Sequence, residues 1–256
     1  MAIIAASILD ADFSNLKNEV NRADTAGVDM FTLDIMDGHF APRITFGDYV
    51  VSQIRSWTDR PIEAHLMLER PENWVDRFVD AGVDLVVFHA EATSQHRKII
   101  DNLRNRGVAV GMALLSSTPV DTVYPWIEDL DVVNFLAVPV GFGGQSSAPD
   151  TFDRIRDLRA TAEGRHPGLV IEVDGGVKPT NADEYVNAGA DMLTVGTGLY
   201  HAPDLERAVS ELRERAETFQ LDRGQVLLGS LRARREAATS DHEAVLRAAG
   251  LVGARD

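Results

Sequence analysis

The chain contains no cysteine among its 256 residues. Disulfide bonds, thiolate nucleophiles and cysteine-ligated zinc or iron–sulfur centres are therefore excluded, and a reducing cytoplasm is the expected compartment. Basic residues are also scarce, since 25 lysines and arginines face 40 aspartates and glutamates, which gives a net charge of −15. This charge argues against binding to nucleic acids or anionic membranes, because both require basic patches.

Long apolar runs are missing as well. No stretch approaches the roughly 18 apolar residues that a membrane-spanning helix needs. The apolar N-terminus lacks the positive charge of a signal peptide and runs directly into Asp10 and Asp12. With 45% hydrophobic residues the chain can still form a sizeable core. We therefore expect a soluble, cytoplasmic globular protein.

Short apolar segments alternate along the chain with segments of helical periodicity. The apolar segments predict eight strands over residues 3–8, 29–34, 61–67, 84–89, 108–114, 132–138, 169–173 and 191–195. Residues 15–26 and 71–81 are typical of the helices between them, whose apolar faces, including Trp57 and Trp74, should lie in the core. This α/β alternation predicts a (β/α)₈ TIM barrel. A doubly wound open sheet is the alternative.

The alternation ends near residue 219. We expect residues 1–219 to form the barrel and residues 220–256 to form a C-terminal helical extension. Its helices should cover 225–238 and 241–249, the second capped by Ser240 or Asp241. The extension should pack on the barrel or on a neighbouring subunit, while a disordered tail is the alternative for the last ten residues.

Two aspartates close predicted strands two and seven, and glycine follows each within a few residues. They are Asp34 and Asp174. Carboxylates at strand ends point into the mouth of a parallel β structure, where α/β proteins bind their substrates. Two of them from distant strands can face one carbon atom from opposite sides, which suits removal of a proton from one face and its return to the other. Asp34 taken alone would be interpreted as a strand-end helix cap, but Asp174, His65 and the glycine loops together favour a catalytic role.

Further motifs stand at the ends of the other predicted strands. The set comprises Ser7-Ile8-Leu9, Asp34-Ile35-Met36-Asp37-Gly38, His65-Leu66-Met67, Gly141-Phe142-Gly143-Gly144-Gln145, Asp174-Gly175-Gly176 and Gly196-Thr197. In order and spacing it resembles the ribulose-phosphate 3-epimerase family. The resemblance implies a (β/α)₈ barrel isomerase that inverts the carbon next to the ketone of a phosphorylated ketose. Conversion of ribulose 5-phosphate to xylulose 5-phosphate is the leading reaction, with an enediolate between the two epimers.

The resemblance also implies a metal site. By position, Asp34 and Asp174 match the catalytic acid and base, and Asp34, His65 and Asp174 match ligands of a divalent metal, usually zinc, iron or manganese. Chemistry supports such a site, because a proton next to a ketone leaves only if the growing oxyanion is stabilised by a metal or by fixed donors. Family members form dimers to hexamers, so a homo-oligomer is expected.

Other positions match residues that contact the sugar phosphate. Ser7 would hydrogen-bond near the reacting carbon, while Met36 and Met67 would shield the intermediate from water. Main-chain amides of glycine loops would hold the phosphate. The loop residues expected to bind substrate are Gly141, Gly143, Gly144, Gly175, Gly176, Gly196 and Thr197.

Several residues depart from the family pattern. Thr32 replaces a histidine that ligates the metal, Arg43 replaces an asparagine, and Leu115 stands where the family has asparagine. Another ketose phosphate, such as a tetrulose, allulose or carboxylated sugar phosphate, therefore remains an alternative substrate. A phosphosugar-binding protein with a decayed metal site is the alternative from another functional class. His89 should either line the pocket or pack in the core, and Asp37 should fix its loop.

Overall fold

A computed structural model of the chain describes residues 1–216 and 222–248, the last nine of these as backbone only. Eight strands form one closed parallel barrel in which each strand pairs with the next and the eighth pairs with the first. The strands are β1 (Ile3–Ser7), β2 (Met30–Met36), β3 (Ile62–Met67), β4 (Leu85–His89), β5 (Ala109–Leu115), β6 (Val132–Leu136), β7 (Val170–Asp174) and β8 (Met192–Val195). The predicted (β/α)₈ barrel is confirmed, and every strand end lies within two residues of its predicted position.

Helices surround the barrel. Within the described residues they are α1 (Leu16–Thr25), α2 (Asp48–Arg55), α3 (Val75–Asp80), α4 (His96–Asn105), α5 (Thr151–Arg165), α6 (Ala182–Ala188), α7 (Thr197–Tyr200), α8 (Leu205–Arg215) and α9 (Arg223–Ala248). A 3₁₀ helix, Val120–Asp129, takes the place of an α-helix between β5 and β6. None of the helices described is long and apolar enough to cross a membrane.

The two-residue period of the strands separates two cores. On β2, Phe31, Leu33 and Ile35 join the apolar layer between the strands and the surrounding helices. Met30 belongs to a separate cluster inside the barrel. Because successive side chains of a strand point to opposite faces, Thr32 and Asp34 also face the barrel interior. The same alternation on the other strands delivers site residues to the carboxyl ends of the strands.

Helix α9 covers the opposite, amino-terminal end of the barrel. Its Leu227, Leu228 and Leu231 are buried in the cluster that fills this end. The barrel contributes the inward-facing residues at or near the start of its strands: Ile3, Met30, Leu85, Ala109, Val132, Val170 and Met192. The expected packing of the C-terminal extension on the barrel is therefore confirmed for this helix.

Polar contacts hold α9 in place beside this apolar contact. Arg223 is buried, donates a hydrogen bond of 2.6 Å to the carbonyl oxygen of Pro167 and lies 3.6 Å from a carboxylate oxygen of Asp191. Arg234 lies 3.4 Å from the carboxylate of Asp131 at the helix's partly exposed side. The partly exposed pair of Arg234 and Asp131 stabilises little, so α9 is attached mainly through its buried leucines and the buried Arg223.

Two sequence predictions for the helices are wrong. The extension is not divided into helices over 225–238 and 241–249, because α9 runs without interruption from Arg223 to Ala248, so neither Ser240 nor Asp241 begins a helix. Trp74 is 43% exposed rather than in the core, with the guanidinium of Arg77 5.4 Å from its ring centre. Trp57 does pack against the core. The boundary predicted at 219 and the last residues of the chain lie outside the described residues.

We expect Leu228→Ala to destabilise the protein by about 2–5 kcal/mol, because it removes a side chain that is 1% exposed from the covered end of the barrel. Val226→Ala is the matched control, since Val226 lies on the same helix and is 74% exposed. It should change the free energy of unfolding by less than about 0.5 kcal/mol. Urea denaturation followed by circular dichroism measures both, and equal effects would show that α9 does not stabilise the barrel through this face.

Candidate active site

Two carboxylates converge on one imidazole at the mouth of the barrel. Nδ1 of His65 lies 3.1 Å from Oδ1 of Asp34 and 3.3 Å from Oδ2 of Asp174. His65 and Asp34 are register partners on adjacent strands β3 and β2, and Asp174 ends β7 on the far side of the barrel. The side chains of His65 and Asp34 are buried, while that of Asp174 is 13% exposed toward the cleft. The convergence expected from the sequence is therefore present.

This cluster has the donors of a divalent metal site. One ligand atom from each of Asp34, His65 and Asp174 lies within 4.8 Å of the other two. Burial alone would lower the pKa of His65, but hydrogen bonds with Asp174 and Asp34 raise it well above its ordinary value. The site thus favours positive charge at this point. Imidazole nitrogen and carboxylate oxygens suit zinc, iron or manganese, so these three residues could hold such an ion.

Two further residues orient the far side of the His65 ring. Its Nε2 lies 3.0 Å from Nε2 of His89, whose Nδ1 lies 3.3 Å from a carboxylate oxygen of Glu91. Glu91 also accepts hydrogen bonds from the N–H of Leu115 and the hydroxyl of Thr118. Burial would raise the pKa of Glu91, but its bonds from His89 and Thr118 lower it to about 2, so it is ionised.

The ionised Glu91 fixes the tautomers of both histidines. Burial lowers the pKa of His89 to about 4, so its ring is neutral near pH 7. Because Glu91 can only accept hydrogen bonds, the proton of His89 must be on Nδ1, which leaves its Nε2 to accept a hydrogen bond from the Nε2–H of His65. A neutral His65 then turns its Nδ1 lone pair toward Asp34 and Asp174. That arrangement is repulsive unless a cation or a proton lies among the three groups.

Ser7 completes the contacts of Asp34. Its hydroxyl donates a hydrogen bond of 2.7 Å to Oδ2 of Asp34 from the end of the neighbouring strand β1. Because Oδ1 of the same carboxylate faces His65, both oxygens of Asp34 have fixed partners. The side chain is therefore held in one orientation. Ser7 lies where the sequence placed it.

A polar layer lies inside the barrel beneath the cluster. Glu172 and Glu63 are fully buried, two residues before Asp174 and His65 on the same strands. Glu172 accepts a hydrogen bond of 2.5 Å from the hydroxyl of Thr194. Neither carboxylate oxygen of Glu63 bonds to a described residue, nor does the hydroxyl of Thr32, the register partner of Glu63. Burial and the charge of Glu172 raise the pKa of Glu63 well above its ordinary value.

Apolar side chains form one wall of the cleft above the cluster. Met36 and Met67 are buried with Leu136 and Val138. All four also line the cleft that contains Asp34 and Asp174. The wall excludes water from one side of the paired carboxylates. The two methionines therefore lie in the same cleft as Asp34 and Asp174.

Glycine loops form the other wall. The cleft is lined by the loop residues expected from the sequence: Gly141, Gly143, Gly144, Gly175, Gly176, Gly196 and Thr197. Two adjacent glycines of the loop after β7 are required on steric grounds. At Gly175 φ is 99°, and an added Cβ would lie 2.5 Å from Val138; at Gly176 φ is 79°, and an added Cβ would lie 2.6 Å from the backbone nitrogen of Ser147. The absence of side chains leaves main-chain amides open to the cleft.

The structure also resolves several secondary expectations. Asp37 accepts hydrogen bonds from the backbone N–H groups of His39, Phe40 and Glu69, so it fixes its loop as predicted. His89 contacts His65 and does not line the cleft. Arg43 is exposed and lies over the ring of Phe142, with 5.3 Å between its guanidinium carbon and the ring centre.

Sequence reasoning missed four residues around the cleft. Asp10 and Lys178 line it, and Glu63 and Glu172 lie beneath it. Asp10 could have been found because it follows Ser7-Ile8-Leu9 at the end of β1. The two glutamates could have been found by strand alternation, since a residue two positions before a site residue on the same strand faces the same way. No comparable signal marked Lys178.

The fold and the cleft together define a (β/α)₈-barrel protein with a paired-carboxylate site at the carboxyl ends of its strands, where barrel enzymes carry out their chemistry. The model of the ribulose-phosphate 3-epimerase family matches residues 3–200. The chain belongs to this family.

Characterised relatives match nearly the whole barrel. The ribulose-phosphate 3-epimerase of Bacillus subtilis is 38% identical over 214 residues, which cover 83% of this chain and 99% of the relative. The corresponding enzyme of Schizosaccharomyces pombe is 39% identical and covers 83% of this chain and 92% of the relative. That of Escherichia coli K12 is 34% identical, with coverages of 82% and 94%.

Solved structures support the fold at lower identity. The 3-keto-L-gulonate-6-phosphate decarboxylase from Vibrio cholerae superposes with a TM-score of 0.63 at 14% identity and covers 86% of this chain and 99% of its own. The 3-hexulose-6-phosphate synthase from Salmonella typhimurium gives a TM-score of 0.61 at 16% identity, with coverages of 84% and 98%. These similarities concern the barrel and carry no inference about activity.

We expect Glu91→Gln to weaken binding of a divalent metal by about 10–100-fold, because a neutral amide no longer forces the proton of His89 onto Nδ1. Glu128→Gln, at a site 65% exposed, is the control and should leave the dissociation constant unchanged. Competition with a chromophoric chelator measures both constants. An unchanged affinity in Glu91→Gln would contradict the proposed orientation of His65.

Glu172→Gln should flatten the pH dependence of stability. Burial raises the pKa of Glu172 from 4.5 to about 7, so the native state keeps a proton that the unfolded state releases between these values. The stability of metal-free protein should therefore fall as pH rises through this window, by up to about 1.4 kcal/mol per pH unit. Glutamine cannot ionise and should lose this slope in urea titrations. An identical slope in both proteins would show that Glu172 does not hold the proton.

Proposed function

We propose that the protein is a ketose-phosphate 3-epimerase that interconverts ribulose 5-phosphate and xylulose 5-phosphate. One observation carries the proposal: Asp34 and Asp174 approach the same nitrogen of His65 from strands on different sides of the barrel. Two carboxylates in this relation can serve opposite faces of a carbon held between them. Inversion at that carbon needs one group to remove a proton and the other to return one.

The surroundings of the two aspartates suit proton exchange. Burial raises the pKa of Asp174, and the charge of Asp34 adds to this effect, so Asp174 holds a proton more readily than a solvated aspartate. Both carboxylate oxygens of Asp34 have hydrogen-bond partners, which are His65 and Ser7. A carboxyl group that binds a proton more readily suits the member of a pair that donates one. Which face each serves follows from the pose of the sugar.

We propose Asp34, His65 and Asp174 as the ligands of a divalent zinc, iron or manganese ion. When bound, this ion would supply Lewis-acid stabilisation of the negative charge that develops on the ketone oxygen. Thr32 is not among the ligand atoms that converge here, so the set has three members. Catalytic zinc sites commonly have three protein ligands and one open position, so three donors suffice for a catalytic ion.

The remaining walls of the cleft suit the rest of the substrate. The apolar wall of Met36, Met67, Leu136 and Val138 would keep water from an enediolate, which otherwise protonates at random. The amides of the glycine loops after β6, β7 and β8 would receive the phosphate. Ser7 would lie close to the reacting carbon through its bond to Asp34.

The experiment is solvent deuterium exchange at C3 of ribulose 5-phosphate and of xylulose 5-phosphate, with excess metal. The unmodified protein should exchange and invert both sugars. Asp34→Asn and Asp174→Asn should each reduce inversion by at least about 10²–10⁴-fold, because one carboxylate is lost. Each variant should retain exchange with only one epimer, and the two variants should prefer opposite epimers.

Asp153→Asn is the control, since Asp153 is 84% exposed on α5 and does not line the cleft. It should leave turnover unchanged. If neither pentulose phosphate exchanges but another ketose phosphate does, the proposed substrate is wrong and the proposed proton transfer is retained. No exchange with any ketose phosphate would refute the function.

A further inference from the structure

The carboxylate of Asp10 lies among the glycine loops, and the proposed epimerisation gives it no task. Asp10 ends the 3₁₀ segment Ile8–Asp10 that follows β1 at the mouth of the barrel. It is partly buried and lines the same cleft as Asp34 and Asp174. A negative charge in the part of the cleft that should receive a phosphate demands an explanation.

The contacts of Asp10 place its carboxylate against two of the loops. A Cβ added at Gly143 would lie 2.8 Å from both carboxylate oxygens, and one added at Gly196 would overlap Oδ2. The backbone N–H of Thr197 lies on the same side and lowers the pKa of this carboxyl group. Glycine at positions 143 and 196 is therefore required because the carboxylate fills the space that a side chain would take.

The two loops that Asp10 touches also approach each other. A Cβ added at Gly144 would lie 3.3 Å from Cγ2 of Thr197, so the loop after β6 and the loop after β8 form one concave surface. We call this surface, formed by Gly143, Gly144, Gly196 and Thr197, the glycine cradle. Its exposed amides are suited to one anion. Asp10 supplies an anion from within the chain.

The electrostatics agree with this geometry. Burial raises the pKa of Asp10, and so does the charge of Asp34, whereas His201, Arg43 and the N–H of Thr197 lower it. Groups that lower the pKa of this carboxyl group by favouring its negative charge would also attract a phosphate. A phosphate and an ionised carboxylate in contact repel each other, so the two compete for one place.

We propose that Asp10 is an internal occupant of the glycine cradle and lowers its affinity for anions, a proposal that rests on the proposed function of the cleft. The terminal phosphate of a substrate enters by displacing the Asp10 carboxylate. A small anion that contacts only the cradle gains too little to do so. A ketose phosphate also contacts the cluster of Asp34, His65 and Asp174, and that additional binding offsets the displacement. Asp10 thus keeps free phosphate out of the cradle at concentrations at which a complete ketose phosphate still binds.

The test is calorimetric titration of the full-length protein with inorganic phosphate. Asp10→Asn removes the charge but keeps the shape and an oxygen that can accept from Thr197, whereas Asp10→Ser also empties the space. We expect both variants to bind phosphate at least about tenfold more tightly than the unmodified protein, with serine the stronger, because a like charge in contact is gone. The effect should be the same in metal-depleted protein, which separates the cradle from the metal site.

Asp12→Asn is the matched control. Asp12 lies two residues away, is exposed and caps the 3₁₀ segment Phe13–Asn15, a role that asparagine retains. It removes the same charge outside the cleft and should change phosphate affinity by less than about twofold. If Asp10→Asn and Asp10→Ser bind phosphate no more tightly than the unmodified protein, or more weakly, Asp10 is not a competitor and the proposal fails.

Failure of this inference can be told apart from failure of the proposed function. Exchange of the C3 proton by the unmodified protein, with phosphate affinity unchanged in the Asp10 variants, would leave the function and overturn the role of Asp10. Tighter phosphate binding in the variants, without exchange by any form of the protein, would support the role of Asp10 and overturn the function. In an active enzyme, Asp10→Ser should lower KM for the ketose phosphate while kcat changes by less than about threefold.

Discussion

The meeting of two carboxylates with one imidazole in the barrel mouth is the constraint from which the rest of the site follows. In a largely dry interior, two negative charges this close are tolerated only if a proton or a cation lies with them. His65 provides one such partner through a single nitrogen. The chain behind it, His89 and Glu91, determines what that nitrogen can do. Charge balance at this point therefore links the metal-binding capacity of the site to its acid–base capacity.

The barrel makes this arrangement possible by separating the two faces of each strand. Inward positions carry polar groups near the carboxyl ends, as Glu63 and His65 do on β3, while outward positions remain apolar. The packing of the outer helices therefore does not depend on the polar residues inside the barrel. The acidic groups of the polar layer have an energetic cost when they are ionised, because burial of a carboxyl such as that of Glu63 favours its neutral form. The protonation of this layer therefore depends on the charge of the site residues next to it.

Much of the fold could be read from the sequence, because a barrel strand leaves a local signature. Short β-branched runs at regular spacing located all eight strands, and the strand-end positions of Asp34 and Asp174 indicated where their side chains would meet. Helix α9 was divided wrongly, since Ser240 and Asp241 are typical helix caps and only the backbone reveals that the helix continues through them. Local preference was overridden there by the continuity of one long helix.

The parts of the site that the sequence did not reveal depend on contacts between distant segments. The hydrogen bonds that connect His65 to Glu91 join residues of different segments, and no local sequence pattern predicts them. Asp10 is similar, because its position against Gly143 and Gly196 arises only when the loops after β1, β6 and β8 come together. From the sequence, glycine in those loops predicts phosphate binding, with tight turns as the alternative. The structure adds a further reason for glycine, the room needed by a neighbouring carboxylate.

The position of α9 has a consequence for how the chain is made. The eight strands and their apolar lower end, including Ile3, Val132 and Met192, are complete in sequence before Leu227, Leu228 and Leu231. During synthesis from the N-terminus, all eight strands would therefore leave the ribosome before α9, and the apolar end of the barrel would be exposed to solvent. Until α9 emerges, this end is a surface to which chaperones or other nascent chains can adhere.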